Sequence, residues 1–302
     1  MTTVIALGGN ALIRAGQRGT AAEQLANLRD TAEALRPLLG EPALVVTHGN
    51  GPQVGNELLR QERAADEVPP LPLYLAVAQT QAEIGALIQA ELGPVAGRPV
   101  VTLLTHVRVD AADAAFDEPT KPVGPFYSEE QAGVLERQRG WMLVSDAGRG
   151  WRRVVPSPTP LEIVELAAIK ALLGAHTIVV ACGGGGIPVA SEDGRLRGID
   201  AVIDKDRASA LLASRLEADR LVILTEVSAV KRGFGAPSEE DLRELSPEEA
   251  DELAPELAAG SMRPKVEAAA AFVREVGGEA LITSAEALAD ALAGRAGTRV
   301  AR

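Results

Sequence analysis

Val4-Ile5-Ala6-Leu7-Gly8-Gly9-Asn10-Ala11-Leu12 sets four apolar residues directly against two glycines and an asparagine, near the start of a 302-residue chain. A short apolar run stopped by a turn reads as a strand buried on both faces. Glycines after a strand let backbone N–H groups approach an anion without a Cβ in the way, and a following helix N-terminus adds favourable partial charge. The same grammar recurs: Leu44–Thr47 runs into Gly49-Asn50-Gly51-Pro52, Thr177–Ala181 runs into Gly183-Gly184-Gly185-Gly186, and Gly260-Ser261-Met262 opens a helix over Pro264–Val276. One such segment is an ordinary tight turn. Four of them at strand ends point to a polyphosphate site.

Further strand-like runs at Val100–Leu104, Leu221–Leu224 and Ala280–Thr283 alternate with helical patterns, among them Leu161–Leu173. Thr20-x-x-Glu23 and Ser246-Pro247-Glu248-Glu249 are helix-start signals. Alternation of this kind predicts an α/β fold, an open αβα sandwich around a mostly parallel central sheet, with ligands beyond the carboxyl ends of the strands. It breaks down between about 108 and 160, where Pro119, Pro122, Pro125, Pro156, Pro158 and Pro160 cluster. That stretch reads as an inserted, protruding subdomain with a helix over Ser128–Arg137 and strands around Trp141–Val144 and Trp151–Val155.

Composition removes several functional classes. A net charge of −12 without a basic block argues against nucleic acid as a partner. Cys182 is the single cysteine, and no Cys/His spacing suits zinc, so no protein-held metal is expected. The start has no basic leader, and no apolar run is long enough for a membrane span. A soluble cytoplasmic protein is expected. There is no Gly-Lys dipeptide and hence no P-loop, and the third glycine of a dinucleotide fingerprint after Gly183 and Gly185 falls on Pro188. Of thirty basic residues only five are lysines, and Lys121, Lys205 and Lys265 lie in Gly/Pro or Asp settings. Where arginine supplies nearly every cation, a retained lysine marks a need for a compact ammonium.

The segments ALGGNAL (6–12), VVTHGNGPQVG (45–55), TKPVGPFY (120–127), VVPSPTP (154–160), GGGGIPV (183–189), AVIDKDRASALLA (201–213) and GSMRPKVEAAAAFV (260–273) together resemble carbamate kinases of the amino-acid kinase superfamily. They span nearly the whole chain in family order, and TKPVGPFY resembles the protrusion peculiar to carbamate kinases. The resemblance implies a single domain over 1–302, its N-terminal half binding carbamate or carbamoyl phosphate and its C-terminal half binding ATP or ADP with Mg²⁺, in a homodimer. Gly8, Gly9, Asn10, Gly49, Asn50 and Gly51 would hold the acceptor and the transferring phosphoryl group. Lys205 and Lys265 would neutralise phosphates, Asp206 would orient both lysines, and Lys121 would reach in from the protrusion. On the nucleotide side the resemblance points to Gly184, Gly185, Asp204, Thr225, Met262 and again Lys265.

Two departures stand out. Many relatives have a lysine before the first glycine pair, where this chain has Thr3-Val4-Ile5-Ala6, leaving Lys205 to supply that charge. The usual L-T-D-V-D-x-V-Y run reads Leu224-Thr225-Glu226-Val227-Ser228-Ala229-Val230-Lys231, although Phe234–Pro237 still resembles the nucleotide-side loop that follows.

Phosphoryl transfer to carbamate needs alignment and charge neutralisation, with no protein nucleophile and no general base. Prolines around Lys121, with Gly124 as a pivot, read as a lid carrying a cation. Cys182 reads as a buried small hydrophobe, His48 as a structural or catalytic neighbour of its turn, Lys170 as a solvated face, and Lys231 as surface or nucleotide edge. The rival functions are another amino-acid kinase with a carboxylate or phosphate acceptor, and a catalytically silent nucleotide-binding regulator.

Overall fold

The computed structural model describes residues 1–145, 150–236, 238–258 and 260–302. The first half of the chain runs β1 (Thr2–Leu7), α1 (Ala21–Ala34), β2 (Ala43–His48), α2 (Gly51–Ala64), α3 (Leu73–Ala96), β3 (Val100–Thr102) and β4 (His106–Arg108). Then come β5 (Lys121–Tyr127), α4 (Glu129–Arg139), β6 (Met142–Ser145), β7 (Trp151–Val155), β8 (Glu162–Ile163), α5 (Leu166–Gly174) and β9 (Ile178–Val180). The second half runs β10 (Ile187–Glu192), β11 (Arg195–Gly198), α6 (Lys205–Arg215), β12 (Arg220–Thr225), β13 (Val230–Arg232) and β14 (Glu240–Leu242). It ends with β15 (Glu244–Leu245), α7 (Pro247–Leu253), α8 (Met262–Val276), β16 (Glu279–Ser284), α9 (Leu288–Leu292) and β17 (Thr298–Val300).

Eight of these strands form one sheet in the order β15-β17-β16-β12-β1-β2-β9-β3, parallel except where β17 meets β16. The apolar run that opens the chain is its centre. Because successive side chains point to opposite faces, Val4 and Ala6 join one core with α6 and α8, while Ile5 and Leu7 join a second core with α1 and α3. The chain is therefore the expected αβα sandwich. Strands of the first half lie on one side of β1 and those of the second half on the other, so the strand order reverses at the β1/β12 boundary. Ligand crevices form where order reverses. Gly8 ends β1 at that boundary, and a β-carbon there would fall 2.7 Å from the Leu224 carbonyl oxygen.

A separate antiparallel sheet, β5-β7-β6, carries α4 and closes a small core of Ala132, Leu135 and Leu143 with Tyr127, Trp141 and Trp151. Helix α4 and strands β6 and β7 fall where the sequence placed a helix and strands, whereas Lys121–Tyr127, expected as a lid loop, is strand β5 paired with β7, so the sheet begins at Lys121 and ends at Val155. The expected helix Leu161–Leu173 begins later. Glu162 and Ile163 pair with β4 as β8, and Glu165 accepts from the His106 backbone N–H at 2.7 Å, so the helix starts at Leu166. Among the described residues no helix is long and apolar enough to cross a membrane.

Candidate active site

Three helix starts converge beyond the carboxyl ends of the central strands. Lys205 opens α6, Gly51 opens α2, and Lys265 lies one turn into α8. Asp204 makes the α6 start possible, because its Oδ1 accepts from the backbone N–H groups of Asp206 at 2.9 Å and Arg207 at 3.3 Å. This fixes the direction of the next two side chains. Lys205 Nζ donates to Asp206 Oδ1 at 2.5 Å, and Lys265 Nζ donates to Asp206 Oδ2 at 3.0 Å. One buried carboxylate thus holds two lysines. The third, Lys121 at the start of β5, donates to Asp204 Oδ2 at 2.6 Å.

Electrostatics make this set a cation site. Burial opposes the charged forms of both aspartates, but Lys121 and then Lys205 outweigh it at Asp204, and Lys205 and Lys265 outweigh it at Asp206. Both carboxyls therefore sit below their ordinary range. Burial lowers the Lys205 pKa, with Asp206 opposing that effect. Three lysines and two aspartates leave a net charge of +1, a preformed counter-charge for an entering polyphosphate.

The lysines stand at the joint between the two halves. The Lys205 stem lies over the turn after β2, where a β-carbon on Gly49 would fall 3.3 Å from its Cδ. Thr47 and Ser209 share a 2.6 Å hydroxyl contact that ties β2 to α6. On the other side, a cavity of about 930 Å³ is walled by Gly8, Gly9, Thr225, Met262, Lys265 and Phe234. A cavity of about 960 Å³ at the opposite ends of β12 and β16 has arginines as its lining cations, of which Arg215 and Arg299 are paired with Glu275 and Glu279, and it also carries Glu217 and Asp219.

The structure thus brings Lys121, Lys205, Lys265, Asp204, Asp206, Gly8, Gly9, Gly49, Thr225 and Met262 around one crevice. The Asn10 side chain and Pro237 lie outside the described residues. Gly184 and Gly185, expected on the nucleotide side, do not line the cavity of Thr225 and Met262. The sheet sets β9 beside β2 and away from β12, so the turn after β9 falls on the β2 side of the crevice. There a β-carbon on Gly184 would collide with the Asn50 side chain at 2.2 Å, and one on Gly185 with the Ile203 carbonyl oxygen at 2.2 Å. Asp204, expected on the nucleotide side, is taken up by the α6 cap and Lys121.

Sequence reasoning missed Thr80 and Gln81, two buried polar residues in the middle of α3. Asn50 donates to Thr80 Oγ1 at 3.0 Å, and Gln81 donates to the Gly183 carbonyl at 2.8 Å, so together they fix the turns after β2 and β9. Gln79 and Glu83 on either side are polar too, so the sequence did not single this pair out. Glu226, Val227 and Leu257 were missed as cavity walls. Lys231 also lines the cavity, with its ammonium paired to Glu239 and, at 3.5 Å, to Asp241. His48 is fully buried, its pKa lowered to about 4 by burial, against the Gly49 carbonyl and assisted by Lys205. Its ring is neutral. Burial likewise pushes the Cys182 thiol far up, which leaves it a packing group.

An αβα sandwich with helix starts and buried lysines at its topological switch is a phosphate-handling scaffold, and the chain belongs to the amino acid kinase family, which it matches over residues 1–284. Within that family its similarity runs to the carbamate kinases. Carbamate kinase of Thermococcus kodakarensis is 45% identical, over 99% of this chain and 98% of that protein. Carbamate kinase of Haemophilus influenzae is also 45% identical, over 100% and 97% respectively. Among solved structures, carbamate kinase from Giardia lamblia bound to AMP-PNP superposes with a TM-score of 0.91 at 42% identity, over 99% of this chain and 98% of that one.

Proposed function

We propose that the chain catalyses reversible phosphoryl transfer between ATP and carbamate, ATP + carbamate ⇌ ADP + carbamoyl phosphate. The observation that carries this reading is the lysine cluster at the mouth of the 930 Å³ cavity, Lys205 and Lys265 on Asp206 with Lys121 beside them. A carbamate oxygen forms the new bond to the γ-phosphorus while the bond to the bridging oxygen breaks, and its electron pair leaves with ADP. Carbamate is already an anion and needs no base. What it needs is cations, since two unit charges 4 Å apart interact by roughly 4 kcal/mol at an effective dielectric near 20.

We assign the nucleotide to the cavity of Thr225 and Met262, with Lys265 and the Gly8-Gly9 backbone toward its phosphates. Lys205, between Gly49 and Asp206, faces the transferring group, and Lys121 is the third counter-charge. Gly184 and Gly185 are assigned to the acceptor side with Asn50 and Gly51. Among the described residues no group of three or more His, Cys, Asp or Glu suits a metal, and both Asp206 oxygens are occupied by lysines. Mg²⁺ enters with the nucleotide, carried by its phosphates. The same reading makes the enzyme a cytoplasmic homodimer. The family matches do not favour the other acceptors or a silent regulator.

Purified protein with Mg²⁺ and ADP is expected to form ATP from carbamoyl phosphate faster than from acetyl phosphate or a phosphorylated amino acid. Preference for either competitor overturns the assignment.

A further inference from the structure

We infer that Asp204 is a positioning residue that holds Lys121 ready for the phosphoryl group, an inference that rests on the carbamoyl phosphate reading above. Asp204 divides its work between two oxygens. Oδ1 caps α6 through the backbone of Asp206 and Arg207, and Oδ2 accepts from Lys121 Nζ at 2.6 Å. The residue is 7% exposed, so it is the Lys121 ammonium that reaches inward to it across 83 residues of sequence.

A lysine stem has four rotatable carbons, and an unheld ammonium samples many positions. Two constraints remove that freedom here. The root of β5 is fixed because Val123 and Val155 pack with Val54, Val77 and Val202 in a dry cluster, and Val202 N–H donates to the Pro156 carbonyl at 3.0 Å. The tip is fixed by Asp204. An ammonium carries three donors, so one spent on Asp204 leaves two for phosphoryl oxygens. Asp204 also balances charge: without it the five-group cluster would rise from +1 to +2, and Lys121 would be pushed away from Lys205.

Three roles for Asp204 make different predictions. A helix cap alone would tolerate asparagine, which caps equally well. A nucleotide ligand would lose ADP affinity on substitution. A positioning residue would lose turnover only while Lys121 is present.

The test is a double-mutant cycle of Asp204→Asn and Lys121→Ala, reading kcat for ATP formation from carbamoyl phosphate and ADP affinity by calorimetry. Asp204→Asn should lower kcat by about ten- to a hundredfold with ADP affinity held within about twofold, and should add less than about threefold in the Lys121→Ala background. Unchanged kcat, weakened ADP binding, or the same loss without Lys121 each overturns the proposal. If Asp204→Asn does not fold, Asp204→Ser serves, since serine caps the helix but is too short to meet Lys121. With only five lysines, selective side-chain labelling gives a direct second readout by NMR. The resonance missing in Lys121→Ala should shift in Asp204→Asn, and a stationary resonance refutes the pairing. Wild-type protein that makes no ATP from carbamoyl phosphate defeats the functional reading instead, and that resonance then decides the pairing alone.

Discussion

Asp204 and Asp206 stand two residues apart at the start of α6 and hold their lysines in opposite ways. Asp206 gives both oxygens to Lys205 and Lys265, whose side chains are 12% and 11% exposed and which rise from helices of the central sandwich. Asp204 gives one oxygen to the backbone and one to Lys121, which is 33% exposed and comes from a separate sheet. The first pair is in place once α6 and α8 pack on the main sheet. The third lysine arrives only when the insertion docks. Its root, moreover, is no open hinge: Gly124, which reads as a pivot in the sequence, has φ +77° but lies against Gly55 of α2.

The largest effect should come from the buried side of this comparison. Asp206→Ala strands two ammonium groups in a buried site, and removing one partner of a buried pair costs about 3–5 kcal/mol. Urea unfolding at neutral pH should show that loss, and turnover should fall by orders of magnitude with it. A cost below about 1 kcal/mol would mean that the two lysines reach solvent freely, and the contrast with Lys121 would collapse.

The sequence made the central strands legible because four apolar residues in a row, stopped by glycine, have few other solutions. The lysines were legible because the chain has so few. Of their partners, the family resemblance supplied Asp206 for Lys205 and Lys265, which Lys265 meets across 59 residues. The pairing of Lys121 with Asp204 across 83 residues was missed, because no local pattern encodes it. Gly184 and Gly185 lie beside Asn50 and outside the cavity of Thr225 and Met262, which the sequence could not show for a related reason. Strand order decides which turn faces which ligand, and a glycine run looks the same beside β2 as beside β12. The late start of α5 is a tertiary override, since Glu162-Ile163 continues a helical pattern but finds a strand partner in β4.

A smaller effect tests the docked insertion. A β-carbon at residue 55 would lie 2.9 Å from Gly124 Cα and 3.0 Å from its nitrogen, so backbone must move. In Gly55→Ala, better helix propensity contributes about 1 kcal/mol, whereas overpacking costs about 1–3 kcal/mol. The clash wins modestly. Because β5 carries Lys121, we expect kcat to fall by about tenfold while ADP affinity holds, since Lys205 and Lys265 are untouched. Unchanged turnover would show that Asp204 alone sets Lys121 and that the root of the insertion does not matter.

An effect that vanishes at neutral pH separates the cluster from the histidine beneath it. His48 lies in the first half of the chain, with Nδ1 3.0 Å from the Gly49 carbonyl and Nε2 directly against Gly183. Its pKa falls from 6.5 to about 4 in the fold, chiefly through burial. Above pH 6.5 neither folded nor unfolded protein protonates it, so it imposes no cost. Between pH 6.5 and 4 the unfolded chain binds a proton that the folded protein refuses, and stability must drop as pH falls. The slope is about 1.4 kcal/mol per pH unit, hence about 2–3 kcal/mol by pH 4.5. The depressed Asp204 and Asp206 carboxyls act in a lower window, losing their contribution only as pH falls below the ordinary aspartate value of 3.8. The two windows therefore isolate the two regions. Urea unfolding of wild type and His48→Gln at pH 7 and pH 4.5 should show the wild type losing about 2–3 kcal/mol more than the variant on acidification. Equal losses would mean that the ring takes its proton in place, and that acid reaches the core beneath β2 no sooner than it reaches the aspartates above it.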